Sequence, residues 1–208
     1  MAGRRYGHTL GKLAGGVALA VVAYVGLQYG ALLSDMDRAA GLYNRGDIDG
    51  ALSAYERIEE RIRAYGLIRL MPARDRQNLF LNQARLLYAL QQYDDALERL
   101  AKEDEISGVS PDGRFLLLRG NIAYRRARMN YEESPKKDVR LLEEDLLSAE
   151  DTLRESLLLN PNDWDAKYNF EFVTQLRKSL ATKDEGKVKL LQESEKPQIK
   201  QLPPESAG

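Results

Sequence analysis

Two stretches of this chain, 45 residues apart, carry the same pattern, and that repetition limits the fold more than any other feature. AAGLYNRGDIDGALSAYERI from Ala39 and ARLLYALQQYDDALERL from Ala84 align without a gap. Each has a small residue, an apolar-Tyr pair, a short turn, an aliphatic or aromatic residue, and then Asp-x-Ala-Leu. Self-similarity at a period of roughly 20–50 residues marks stacked units, none of which can bury its apolar face alone. Apolar residues recur at helical spacing throughout and no alternating β-rich run occurs, so the units are helical pairs. A third copy starts at Phe115 (FLLLRGNIAYRRA), breaks into polar sequence over 128–138, and resumes in LLSAEDTLRESLLLNPND. The break predicts either a long loop or extended helices in the third hairpin.

Punctuation agrees with this division. Turn signals fall at Asn44-Arg45-Gly46-Asp47, around Pro72, from Ser107-Gly108 to Gly113, around Pro135, and at Asn160-Pro161-Asn162-Asp163. Ser110 and Pro111 together read as a helix N-cap followed by a first-turn proline. Beyond about residue 183 the composition shifts to Lys, Glu, Gln, Ser and Pro, which predicts a disordered tail over 183–208.

These residues resemble the tetratricopeptide repeat, whose paired helices pack through small residues and whose units end in a proline turn. Ala39, Ala84 and Gly120 match the small positions of the first helices. Ala51, Ala96 and Ala149 match those of the second, followed by Tyr55, Leu100 and Leu153, and Pro161 matches the closing proline. The likeness covers about residues 33–180. It departs from the pattern at Asp35, where a large apolar residue is expected, at Glu103, which interrupts a core stripe, and in the third-repeat insertion. The segment NPNDWDAKYNFEF from Asn160 is similar to the one that closes small membrane-anchored tetratricopeptide proteins. Those proteins accompany MoxR-type ATPases and von Willebrand A-domain proteins, among them the MxaK-like and Bat-like types. This resemblance implies an accessory or assembly role beside such partners or, for the MxaK type, maturation of a periplasmic methanol dehydrogenase with calcium insertion as the associated step.

Residues 13–33 (LAGGVALAVVAYVGLQYGALL) hold no charge. As a helix they span about 30 Å, the thickness of a bilayer core. Arg4, Arg5 and Lys12 precede the segment and Asp35 and Asp37 follow it. The positive-inside rule therefore predicts a single-pass protein with residues 1–12 cytoplasmic and the C-terminal domain across the membrane; the resemblance above implies that this is a bacterial inner membrane and that the domain is periplasmic. A cleaved signal peptide is the competing reading. Cleavage after Ala31 or Gly30 would place Tyr29 or Gln28 three residues before the cut, and neither is small. Gly26 and Gly30 form a GxxxG pair, suited to helix pairing and also ordinary in transmembrane helices. The expected architecture is all-α: about three tetratricopeptide-like hairpins plus a closing helix over 34–182, behind one transmembrane helix.

Within each first helix a second stripe runs beside the core stripe: Met36, Ala40 and Tyr43; Leu81, Arg85 and Tyr88; Leu117, Asn121 and Tyr124. The tetratricopeptide resemblance puts this stripe on the concave groove. Tyr43, Arg85, Tyr88, Asn121, Tyr124 and Arg125 are then the candidate partner-binding residues, of the types that make binding hot spots. Interior packing is the competing role for the same stripe. Trp164, capped by Asn162 or Asp163, is expected to seal the core with Tyr168 and Phe172 on the same side.

Little points to catalysis. The chain has no cysteine and one histidine, His8, which lies before the apolar segment. HExxH, GxxxxGK[ST], GxSxG and GxGxxG are all missing, so no enzyme, cofactor or metal role is expected. RGDIDGALSAYE from Arg45 imitates a calcium loop through Asp47, Asp49, Gly50 and Glu56, but Arg45 occupies the leading ligand position. The acidic residues Glu132, Glu133, Glu143, Glu144 and Asp145 read as a solvated helix face. Of 31 basic residues three precede the first acid, leaving 28 against 32 acidic ones. That balance offers no basic face for nucleic acid. The expected partners are proteins, with no small-molecule substrate.

Overall fold

A computed structural model of the chain describes residues 3–66, 68, 71–106 and 112–182, with backbone alone at 3–11, 103–106 and 181–182. Seven helices and no strand occur among the described residues: α1 Gly3–Asn44, α2 Ile48–Ala64, α3 Ala73–Ala89, α4 Tyr93–Ile106, α5 Gly113–Glu133, α6 Val139–Leu159 and α7 Trp164–Thr182. The expected tail, and the caps at Ser110 and Pro111, lie outside the described residues. The chain divides into two compact units, α1 with α2 through Ile58, and the remainder of α2 with α3 to α7.

In the first unit α1 is a single unbroken helix of 42 residues, about 63 Å long at 1.5 Å per residue. Side chains from Lys12 through Gln28 are all exposed, including Leu19 and Leu27 at 72% and 75%. A helix apolar all round and exposed all round has no aqueous partner for its surface. It is the one helix found among the described residues that is long and apolar enough to cross a membrane. Burial begins at Leu32 and continues at Met36 and Ala39 without any loop between the two regimes. Asp35 is half-buried and pairs with Arg38 at 3.6 Å, which accommodates a carboxylate where an apolar residue was expected.

The turn into α2 follows the residues' own chemistry. Gly46 takes φ +86°, a conformation glycine adopts without Cβ strain. Asp47 caps α2, its Oδ1 accepting from the Gly50 N–H at 2.9 Å. A Cβ at position 50 would lie 2.2 Å from that carboxylate, so the glycine of the calcium-loop look-alike serves the cap. Tyr55, 1% exposed, donates its hydroxyl to the Met36 carbonyl at 3.3 Å and fastens α2 to α1.

In the second unit α3 packs on α4, α5 on α6 and α6 on α7, with lighter contacts of α5 against α3, α4 and α7. Connections of three to five residues (90–92, 134–138 and 160–163) reverse the chain, so consecutive helices lie antiparallel. The small residues named in the sequence occupy the crossings: Ala84, Ala96 and Ala149 are fully buried. Gly120 touches Leu153 so closely that a Cβ there would stand 2.6 Å from Leu153 Cγ. The third hairpin resolves its two alternatives in favour of extended helices, since α5 and α6 are 21 residues each and only 134–138 separates them.

Buried charge ties the elements together. Glu59, 5% exposed, accepts from Arg63 Nε at 2.7 Å, Gln83 Nε2 at 3.0 Å and Arg99 Nη1 at 2.7 Å, joining α2, α3 and α4. Burial pushes its pKa up, but the bonds from Gln83 and Arg63 and the Arg99 charge outweigh that and hold it below the ordinary value. Glu150 does the same between α6 and α7, accepting from Arg154 at 3.0 Å and Arg177 at 2.7 Å.

The closing helix is rotated from the expected phase. Trp164 is 76% and Tyr168 59% exposed, so Trp164 does not seal the core. Asp163 caps α7, its Oδ1 accepting from the N–H groups of Asp165 and Ala166. The helix then buries Ala166, Val173, Leu176 and Leu180, the last three in one cluster with Leu142, Leu146 and Leu153 of α6. Ala166 follows Trp164 by two positions, about 200° around the helix, which leaves the tryptophan on the outer side. Phe172 alone of the expected trio packs partly against this core.

Candidate interaction face

Five of the six groove candidates fall in the second unit, and the structure sorts them into three neighbourhoods. Arg85 on α3 is half-buried, and its charge reaches Asp112 at the start of α5. Asp112 caps α5 by accepting from the Arg114 N–H at 2.9 Å. Arg114 Nη1 in turn donates to Asn78 Oδ1 at 2.9 Å. Burial raises the Asp112 pKa, but bonding to Arg114 and the nearby Arg85 charge bring it below the usual value.

Tyr88 and Arg125 form the second neighbourhood. The turn 90–92 places Tyr93, the first residue of α4, beside Tyr88 at the end of α3, ring centroids 5.7 Å apart and tilted by 52°. Gln91 makes this turn with φ +62°, a left-handed conformation uncommon outside glycine. Arg125 Nε donates to Tyr88 Oη at 3.4 Å and its guanidinium lies 5.9 Å from the Tyr124 ring centroid. Burial works against the Arg125 charge. The Tyr88 hydroxyl, with the phenols of Tyr124 and Tyr93, overcomes it and raises the pKa. Burial and Tyr88 push the Tyr93 phenol up, against the opposing charges of Arg125 and Arg128. The group presents guanidinium donors, phenol hydroxyls and aromatic faces.

Asn121 and Tyr124 form the third neighbourhood, and α7 covers it. Asn121 Oδ1 accepts from Asn169 Nδ2 at 2.9 Å, and Tyr124 meets Phe172 edge-on at 5.5 Å and 88°. Both side chains are bound to the closing helix. In the first unit, Tyr43 is half-buried on α1, its carbonyl accepting from the Gly46 N–H at 2.8 Å. Met36 and Leu81, which head two of the stripes, are core residues at 2% and 0% exposure.

Sequence reasoning omitted Tyr93, although its place opposite Tyr88 across a three-residue turn was available as a signal. Among the described residues no group of three or more His, Cys, Asp or Glu is placed to hold a metal ion. The arrangement brings together aromatic area, a forked donor and an amide pair. No protein-family model matches the sequence, and no curated protein matches it.

Proposed function

We propose that this chain is a membrane-anchored interaction protein, a tetratricopeptide-like stack of helical hairpins tethered by α1. In this reading it serves as an accessory assembly factor on the periplasmic face of a bacterial inner membrane. The observation that carries the proposal is the pairing of an exposed, uncharged helical stretch with helices crossing at Ala39, Ala84, Ala96, Gly120 and Ala149. Helices stacked through small residues build an extended recognition surface and supply little else. A membrane tether raises the effective concentration of partners held in the same membrane, so modest affinity suffices.

The partner class follows the resemblance of the Asn160–Phe172 segment: von Willebrand A-domain membrane proteins and a MoxR-type ATPase. The half-buried set Tyr88, Tyr93 and Arg125 is the contact surface we assign. Affinity purification of the full-length protein from gently solubilised native membranes, with mass spectrometry of co-purifying proteins, tests the partner class. A-domain proteins or a MoxR-type ATPase are expected. Recovery of an immature periplasmic dehydrogenase instead would transfer the assignment to enzyme maturation. Tyr88→Phe and Arg85→Ala variants should lower partner recovery while thermal stability holds; a fall in stability with recovery intact would make the stripe packing alone.

A further inference from the structure

Four of the eight large exposed apolar side chains among the described residues of the second unit gather at one end. The starts of α3 and α5 meet there through Arg114 and Asn78. The end of α6 joins them, since Ser156 Oγ donates to the Gly113 carbonyl at 2.8 Å. The turn 160–163 then leads into α7. At this turn Leu158 and Leu159 are 75% and 48% exposed, and Trp164 and Tyr168 are 76% and 59% exposed. Trp164 and Tyr168 stand four residues apart on one face of α7. The Lys167 ammonium lies 4.8 Å from the Trp164 ring centroid.

We infer that this corner rests in the interfacial layer of the bilayer that α1 crosses, with the Trp164 and Tyr168 rings at the level of the lipid headgroups. The inference rests on the membrane-anchor reading of α1. Three observations select lipid over a protein partner. Tryptophan and tyrosine with a neighbouring lysine is the side-chain set that favours the membrane–water boundary, each ring having an apolar body and a polar edge. With aromatic side chains offering roughly 150–250 Å² apiece, the four residues leave about 500 Å² open, short of the roughly 800 Å² that each partner gives a stable protein complex. A surface too small to hold a free partner is enough for a tethered one. Helix α1 passes from its exposed apolar stretch into the first hairpin with no intervening loop, so in the anchor reading that hairpin is tethered without a linker.

Charge at the corner is nearly balanced. Lys167 stands against Asp163 and Asp165, and the Asp163 carboxylate is already engaged by two backbone N–H groups. Docking is therefore apolar, needs no anionic lipid and resists salt.

Trp164 is the only tryptophan, so its fluorescence reports on this corner alone. The full-length chain is reconstituted into phosphatidylcholine vesicles, with or without brominated acyl chains, and flotation is scored first. Tryptophan emission is then titrated with acrylamide from the aqueous side. The expected result is a protein that floats, a loss of at least half the Trp164 emission to brominated lipid, and acrylamide quenching several-fold weaker than in urea. These values should not change between 0.1 and 1 M salt. The double variant L158S/Y168S, altered only at exposed positions, should float equally but lose most of the brominated-lipid quenching. A floating protein whose Trp164 is untouched by brominated lipid overturns the docking and leaves the anchor standing. The same lack of lipid quenching with acrylamide also excluded overturns it in favour of a protein covering the corner, a second copy included. Failure to float removes the anchor reading and the docking together.

Discussion

Gly120 is where the packing of the third hairpin can be tested most directly. Replacing it with alanine adds one carbon 2.6 Å from Leu153 Cγ and 2.8 Å from Cδ2, with the Leu153 backbone nitrogen at 3.4 Å. The near atoms are the branch of a fully buried side chain, so relief requires α5 and α6 to separate or Leu153 to leave its rotamer. Overpacking of this kind costs about 1–3 kcal/mol. Alanine recovers about 1 kcal/mol of helix propensity over glycine. The net expectation is a loss of up to about 2 kcal/mol, read as a fall of up to roughly 8 °C in melting temperature for a chain of this size. Far-UV circular dichroism of the full-length protein in mild detergent gives the midpoint. Leu153→Ala alone should cost about 2–5 kcal/mol. In that background Gly120→Ala should become neutral or stabilising, a coupling of about 1–3 kcal/mol between the two sites. If Gly120→Ala instead raises stability in the native background by the propensity gain, as at an open helix site, then α5 and α6 do not cross at Gly120 and the reasoning fails.

Other substitutions test the remaining features. Glu59→Ala leaves Arg63, Arg99 and Gln83 without their shared acceptor; a loss of about 3–5 kcal/mol is expected in thermal or chemical unfolding. Because the Glu59 and Asp112 pKa values are depressed in the folded state, the unfolded chain takes up protons first. Their stabilising contribution is complete above the ordinary carboxylate range and disappears as pH falls through the folded values. The stability gap between native protein and Glu59→Gln should accordingly be widest near pH 7 and narrow below about pH 4, and a gap that widened in acid would reverse the assignment. Asp163→Ala removes the cap of α7 and should cost about 1 kcal/mol, measurable as a lowered melting temperature. Trp164→Ala should change stability by less than about 0.5 kcal/mol, as surface positions do; a loss of several kcal/mol would return the tryptophan to the core.

How far the residues announced the structure depended on the range of the interaction. Ala39, Ala84, Gly120, Ala51, Ala96 and Ala149 were legible as helix crossings because a small residue recurring in register reports local geometry, and all are buried. The apolar stretch was legible for the same reason. Trp164 belongs to a type that suggests burial, but helical phase decides its place: the cap at Asp163 sets where α7 begins, and Ala166 rather than Trp164 is then buried. The cap of α5 is Asp112, which accepts from the Arg114 N–H. The clusters around Glu59 and Glu150 join residues up to 40 positions apart, and no periodicity within one helix encodes such a meeting. Among the stripe residues, the contacts of Asn169 and Phe172 with Asn121 and Tyr124 follow only from how α7 lies on α5.

The unbroken course of α1 has a mechanical consequence. From Leu32, where burial begins, to Asn44 the helix continues for twelve residues, about 18 Å. With no loop or proline in that stretch, motion of the apolar segment passes to its far end without slack. A tilt of about 20°, ordinary for a transmembrane helix, sweeps that end sideways by about 6 Å, and a rotation about the axis turns the first hairpin through the same angle. In the membrane-anchor reading proposed above, the first hairpin is therefore a lever on the apolar segment: changes in bilayer thickness, or pressure from a neighbouring helix against Gly26 and Gly30, would be delivered to it as torque.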